Sequence, residues 1–143
     1  MTKELHHIID GKPVKGKSGR FADVFNPATG EVASKVPLAS AAEVGAAIAA
    51  AQAALPGWAA TPPAKRAQVM FKFRELLYAN LDEIAKLVSL EHGKTIPDAK
   101  GSISRGIEVV EFACGIPQLL KGEYSEGVAT EIDSYAMRQP VGV

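Results

Sequence analysis

Arg105, Cys114, the three histidines and the run Gly93-Lys94-Thr95 are the residues of this 143-residue chain whose types could do chemistry. Gly93-Lys94-Thr95 has the ending of a phosphate loop. That loop needs a glycine five positions before Gly93, where Val88 stands, and it follows a strand, whereas this run follows a helical pattern. No G-x-G-x-x-G dinucleotide fingerprint is present, and Gly101 and Gly106 lie inside a helical pattern. His6 and His7 are adjacent, so in a strand they point to opposite faces, and His92 has no ligand partner at helical spacing. No metal site and no Ser-His-Asp arrangement is expected from them. Cys114 falls on the apolar stripe of a helix, where a thiol stays protonated and inert. Arg105 has two readings. It is a surface arginine paired with Glu108 one turn on, worth about 0.2–0.5 kcal/mol, or it projects from a buried helix toward a ligand carboxylate. A guanidinium fork suits the second role because it offers two parallel hydrogen bonds.

The elements that must position these residues read as four successive helices from Ser40 to Leu120. Ser40 and Glu43 have capping-box spacing. Val44, Ala47, Ile48, Ala51 and Leu55 then form an apolar stripe, and Pro56-Gly57 is expected to end the helix, with Trp58 plugging the corner that follows. Thr61 is the expected cap of the second helix, with Pro62 at its first position and Val69, Met70, Phe73, Leu76 and Leu77 as its core stripe. Asn80 is the expected cap of the third helix, with Leu81, Ile84, Leu87 and Val88 facing inward and Gly93 as the left-handed stop. The fourth helix starts near Pro97. Its stripe is Ile103, Ile107, Val110 and Cys114, widened by Val109, Ala113 and Ile116, and Pro117 should loosen it.

Before this block, Asp10-Gly11 between short apolar runs signals a hairpin. Phe21–Phe25 and Glu31–Val36 make a second hairpin, reversed by Asn26-Pro27-Ala28-Thr29-Gly30. After Gly122, residues 123–139 read as an extended arm with a bend at Gly127, and residues 138–143 as the entrance to a buried strand. The expected organisation is hairpins over 1–39, a helical block over 40–122 and an arm over 123–143. A lone two-stranded hairpin is marginal in water, so the strands pair with each other or with partners outside this sequence.

Hydrophobic residues make up 47% and charged residues 22%, an ordinary balance for a globular protein. Sixteen Lys and Arg balance sixteen Asp and Glu, which argues against a nucleic-acid partner, since that needs a basic surplus. A single cysteine excludes an internal disulfide. Met1–Leu5 lacks the apolar run of a secretory signal, and no window approaches the roughly 20 apolar residues of a membrane span. A cytoplasmic location is the expectation.

Several stretches together resemble the N-terminal part of the aldehyde dehydrogenase superfamily: Asn26-Pro27-Ala28-Thr29-Gly30-Glu31, the alanine-rich helix with Pro56-Gly57-Trp58, Arg66, and Glu91-His92-Gly93-Lys94. Residues 104–113, 115–123 and 138–143 are most similar to its CoA-acylating, methylmalonate-semialdehyde branch. The resemblance implies an α/β aldehyde dehydrogenase-like fragment, with N-terminal β-hairpins, a four-helix block and a C-terminal extended oligomerisation arm, and hence a homo-oligomer. It implies an oxidoreductase in which a cysteine attacks the aldehyde, hydride passes to NAD, and the acyl group, after loss of CO2, passes to coenzyme A. Arg105 matches the position that holds the substrate carboxylate in this branch, and Phe112 an aromatic position near the substrate entrance. The catalytic cysteine and most of the NAD site would follow Val143. Cys114 does not occupy the nucleophile's context. The chain alone is therefore expected to be inactive, with no catalytic, metal or cofactor-binding residue of its own. The alternatives are a non-acylating aldehyde dehydrogenase and a free-standing helical binding or assembly module.

Overall fold

In a computed structural model, which describes residues 3–143, the chain runs through seven short strands and five helices. Met1 and Thr2 of the expected non-signal N-terminus lie outside the described residues. Strands β2 (His7–Ile9) and β3 (Lys12–Val14) form the first hairpin. Asp10 and Gly11 both take positive φ, +52° and +69°, as a two-residue turn matching strand twist requires.

Strands β4 (Phe21–Phe25) and β5 (Val32–Pro37) form the second hairpin. Asn26 closes its turn, accepting on its carbonyl from the Gly30 N–H at 2.8 Å and donating its own N–H to Glu31 O at 2.8 Å. Asp23 and Lys35 stand opposite each other and pair at 2.8 Å. Strand β1 (Lys3–Glu4) adds to this sheet in parallel with β5, giving the order β1-β5-β4. This strand was not expected from the sequence.

Helix α1 (Ala41–Ala60) opens on the expected capping box. It does not end at Pro56-Gly57 but continues through both to Ala60. Proline removes one ladder bond, to the carbonyl of Gln52. Gln52 is exposed, so water can take that carbonyl and the helix survives. Trp58 consequently lies on the last turn of α1, 48% exposed, rather than at a corner between helices. Thr61 closes α1, its Oγ1 donating to Gly57 O at 2.9 Å. Helix α2 (Pro63–Ala79) is capped by Pro62 without a side-chain bond, one residue later than expected.

Asn80 does not cap helix α3 (Leu81–His92) with its side chain. Its Nδ2 donates backward to Leu76 O at 2.7 Å, finishing α2 instead. Gly93 stops α3 at φ +83° as expected. Helix α4 (Ile96–Cys114) follows, capped by Thr95. It breaks at Gly115 before the single turn α5 (Ile116–Leu119), because Pro117 cannot bond to the Ala113 carbonyl.

The core is smaller than the apolar stripes suggest. Its buried apolar side chains are Ala67 of α2, Ala85 of α3, and Ala99 and Ile107 of α4. Three alanines, one per helix, let the helices approach closely, and Ile107 fills the remaining space. Val69, Phe73 and Leu76 of α2 are half to mostly exposed, as are Leu87 of α3 and Val109 of α4, which corrects the expected stripes. On the inward face of α2, Met70 and Leu77 stand as expected, joined by Arg66, Ala67 and Arg74. No residue of α1 is buried.

The C-terminal arm is a hairpin of β6 (Glu123–Ala129) and β7 (Ile132–Ala136). Its reversal lies at Thr130-Glu131, with Glu131 at φ +60°. Gly127, the expected bend, instead sits in a bulge between Ser125 and Ala129 and donates its N–H to Asp133 Oδ1 at 2.8 Å. Residues 137–143 form no strand, and Val141 is fully exposed.

Candidate functional site

The site is built where α3 turns into α4. Gly93 reverses the chain, donating its N–H to Ser89 O at 2.8 Å. Ser89 Oγ then donates to Lys94 O at 2.6 Å, fixing the backbone of the next residue. Thr95 Oγ1 accepts from the Asp98 N–H at 3.4 Å and starts α4. Lys94 is thereby aimed along the new helix. Its side chain is only 17% exposed, and its Nζ sits 2.9 Å from Asp98 Oδ2 and 2.7 Å from Ser102 Oγ.

Helix α4 has two unlike faces. Ala99, Ile103, Ile107, Val110 and Cys114 are buried or half-buried on one. Asp98, Ser102, Arg105, Val109 and Phe112 recur at spacings of three and four on the other, so they form a single row. Arg105 is exposed there and donates from Nη2 to Ser102 Oγ at 3.4 Å. It makes no ion pair among the described residues, Glu108 included, so the surface-pair reading of Arg105 does not describe this structure. Val109 and Phe112 are 68% and 67% exposed. Phe112 stands about 10 Å beyond Arg105 along the helix axis. One edge of the row can therefore hold an anion and the other an apolar chain.

The charges of the row are unequal. Lys94 lowers the Asp98 carboxyl below its usual range, first by its hydrogen bond and then by its charge, with Arg105 and His92 adding to it. One carboxylate thus lies among three basic groups. Close by, Arg74 Nε pairs with Glu111 at 2.7 Å, Tyr78 donates to the same oxygen at 3.3 Å, and the guanidinium lies 4.8 Å from the Tyr78 ring centre. This knot ties α2 to α4 beside Phe112.

The remaining candidates separate from the row. Cys114 is half-buried on the inward stripe. His7 is half-buried with its Nε2 unpartnered, beside Gly16, and His92 is exposed at the end of α3. Among the described residues no three His, Cys, Asp or Glu side chains gather as a metal site needs. Gly101 and Gly106 stand in mid-helix, where an added Cβ would meet nothing within 4 Å, so they are not a phosphate cradle. Of this cluster, the sequence reading singled out Arg105 and Phe112, weighed Lys94 only as part of a phosphate loop, and passed over Asp98 and Ser102. Their spacings, Lys94 to Asp98 and Ser102 to Arg105, were the available signal.

The aldehyde dehydrogenase family model matches residues 14–143. The chain belongs to the aldehyde dehydrogenase family. Among relatives of this aldehyde dehydrogenase chain, malonate-semialdehyde dehydrogenase of Pseudomonas aeruginosa is 55% identical over 139 residues, covering 97% of this chain and 28% of that protein. The acylating mitochondrial methylmalonate-semialdehyde dehydrogenase of Arabidopsis thaliana is 46% identical over 143 residues, covering 100% of this chain and 24% of that one. A crystal structure from Sinorhizobium meliloti, complexed with NAD, superposes with a TM-score of 0.94 at 57% identity, over 99% of this chain and 29% of that one. The chain therefore spans roughly a quarter of the length of the curated relatives it matches. No helix among the described residues is long and apolar enough to cross a membrane.

Proposed function

We propose that this chain is the N-terminal segment of an NAD-dependent, CoA-acylating semialdehyde dehydrogenase, and that Arg105 holds the carboxylate of its substrate. The substrates are methylmalonate semialdehyde and malonate semialdehyde, converted with loss of CO2 to propionyl-CoA and acetyl-CoA. The reading rests chiefly on one observation. Arg105 stands exposed, without a carboxylate partner among the described residues, in a row continued by the apolar Val109 and Phe112. Identity to proteins named for semialdehydes that carry a carboxylate supports it.

The role of the contact follows from the charge it meets. A guanidinium stabilises the substrate's carboxylate as it binds, before that group departs as neutral CO2. The contact therefore belongs to binding more than to the bond-breaking step, and its removal raises KM more than it lowers kcat. Phe112 lines the path for the rest of the substrate. NAD and coenzyme A belong to the longer protein, as do the catalytic cysteine and the surfaces that cover α1 and the β6–β7 hairpin in a homo-oligomer. The same reading places the enzyme in the cytoplasm and the isolated chain without activity.

The test is Arg105→Ala in the full-length enzyme, assayed by NADH formation with malonate semialdehyde and with propanal, which lacks the carboxylate. Loss of a charge-assisted pair worth about 1.5–3 kcal/mol is expected for the acid alone. Equal losses for both aldehydes would remove the carboxylate role. NADH formation by the isolated chain with aldehyde, NAD and CoA would overturn the segment reading.

A further inference from the structure

We infer that Ser102 and Lys94 are positioning residues that set the aim of the Arg105 guanidinium, and so tune selectivity for a carboxylated aldehyde. The inference rests on the proposed carboxylate role of Arg105 and extends it to residues that touch no substrate.

The geometry is a chain of three groups. The Lys94 side chain is half-buried, and its ammonium is held from two directions, by Asp98 at 2.9 Å and Ser102 Oγ at 2.7 Å. Its backbone is fixed by Ser89 at the elbow. It is thus a rigid donor. Ser102 Oγ takes that donor on one lone pair, and Arg105 Nη2 reaches the same oxygen at 3.4 Å. A hydroxyl oxygen has two acceptor positions, so these cations fill both. The serine is the bridge that lets two positive groups stand on one face of α4.

Asp98 makes the bridge tolerable. It offsets the Lys94 charge, so the ammonium does not drive the guanidinium away. The guanidinium itself gains only a long hydroxyl contact and keeps its remaining N–H donors. An exposed arginine otherwise samples many rotamers, and ordering it costs entropy at the moment of binding. Anchoring one nitrogen beforehand reduces that cost without spending the charge. A carboxylate at Arg105 would have served as an anchor too, but it would have competed with the substrate.

The experiment uses the full-length enzyme, with Ser102→Ala, Ser102→Thr, Lys94→Gln and Arg105→Ala each assayed on malonate semialdehyde and on propanal. Ser102→Ala and Lys94→Gln are expected to raise KM for malonate semialdehyde about 2- to 10-fold, the loss of one hydrogen bond. Their kcat, and both constants for propanal, are expected to hold. Ser102→Thr keeps the hydroxyl and is expected to restore KM. Ser102→Ala combined with Arg105→Ala should be no worse than Arg105→Ala alone. If Arg105→Ala is selective for the acid while Ser102→Ala and Lys94→Gln are not, the positioning inference is overturned and the carboxylate role stands. If the two variants impair propanal equally, their role is structural and the inference is overturned. If Arg105→Ala itself shows no preference, the underlying carboxylate reading fails first.

Discussion

At Glu43 a single carboxylate holds two elements together. It accepts from the Ser40 N–H and hydroxyl at 2.8 and 2.7 Å and from the Lys17 N–H at 2.8 Å, joining the loop after β3 to the start of α1. The Ser40 backbone bond, then the Ser40 hydroxyl, then Lys17 hold its pKa down to about 2 from 4.5. The sign follows from linkage. A depressed carboxyl stabilises the fold fully above 4.5, and that contribution is lost as pH falls toward about 2. Glu43→Gln should therefore melt below the parent near neutral pH, and the two curves should converge in strong acid. Thermal melts across a pH series read this directly. Ser40→Ala removes the other half of the box and should lower stability by about 1 kcal/mol. This residue-level chemistry was legible in advance, since Ser40-x-x-Glu43, Asp10-Gly11 and Gly93 each act through their own neighbours. Arg105 stood out as a candidate through the family resemblance, since its neighbour Glu108 suggested only a surface pair. Its bridge through Ser102 was not legible, because the ammonium that completes it comes from the preceding loop.

At the scale of elements, the helices that carry the row depend on very few buried atoms. Ile107 is 1% exposed and is the one large side chain fully buried among the described residues. Ile107→Ala should cost about 2–5 kcal/mol in denaturant unfolding. A larger residue at a buried alanine should also destabilise, and Ala85→Leu, at a site with no exposure, is expected to lose about 1–3 kcal/mol or more. Gly122 is another tight place, since a Cβ there would overlap the Ala136 carbonyl. Gly122→Ala should unseat the β6–β7 hairpin from the end of α5, seen as faster amide exchange over residues 123–136. Element boundaries were harder to foresee than element types. Pro56 looked like a stop because a proline costs a ladder bond, yet on an exposed helix water meets that cost. Thr61 and Asn80 looked like N-caps but serve the helix behind them. The α2 stripe held at Met70 and Leu77 but not at Val69, Phe73 and Leu76, because Arg66 and Arg74 lie half-buried on the packed face while those three turn outward. Periodicity alone ranks those residues the other way.

For the whole molecule, the exposed apolar side chains dominate behaviour. Val44 and Ile48 on α1, Phe73 and Leu76 on α2, and Val128 and Ile132 on the hairpin are about half exposed. On α2, Val69, Phe73 and Leu76 line one open apolar groove, a kind of surface that marks contact with other protein, and the edges of the β6–β7 hairpin are unpaired with any other described strand. The isolated chain should therefore self-associate. Sedimentation over a concentration series should show mass rising with concentration, and monodisperse monomer throughout would refute this. No sequence pattern revealed the parallel pairing of β1 with β5, because it joins residues some thirty positions apart and non-local pairing leaves no local signature.

The buried alanines of α2, α3 and α4 also bear on the proposed role of Arg105. Ala99 and Arg105 ride on one stiff rod, separated by about 9 Å of rise. Where a buried alanine is the spacer between helices, the rod's tilt is gauged by a single methyl group. One extra carbon at Ala99 would swing the far end of the helix and displace the guanidinium, though the change lies about 9 Å away along the axis. Since a shift of about 1 Å can cost on the order of 10²-fold in rate, the proposed carboxylate role of Arg105 makes selectivity sensitive to a spot hidden inside the helical block.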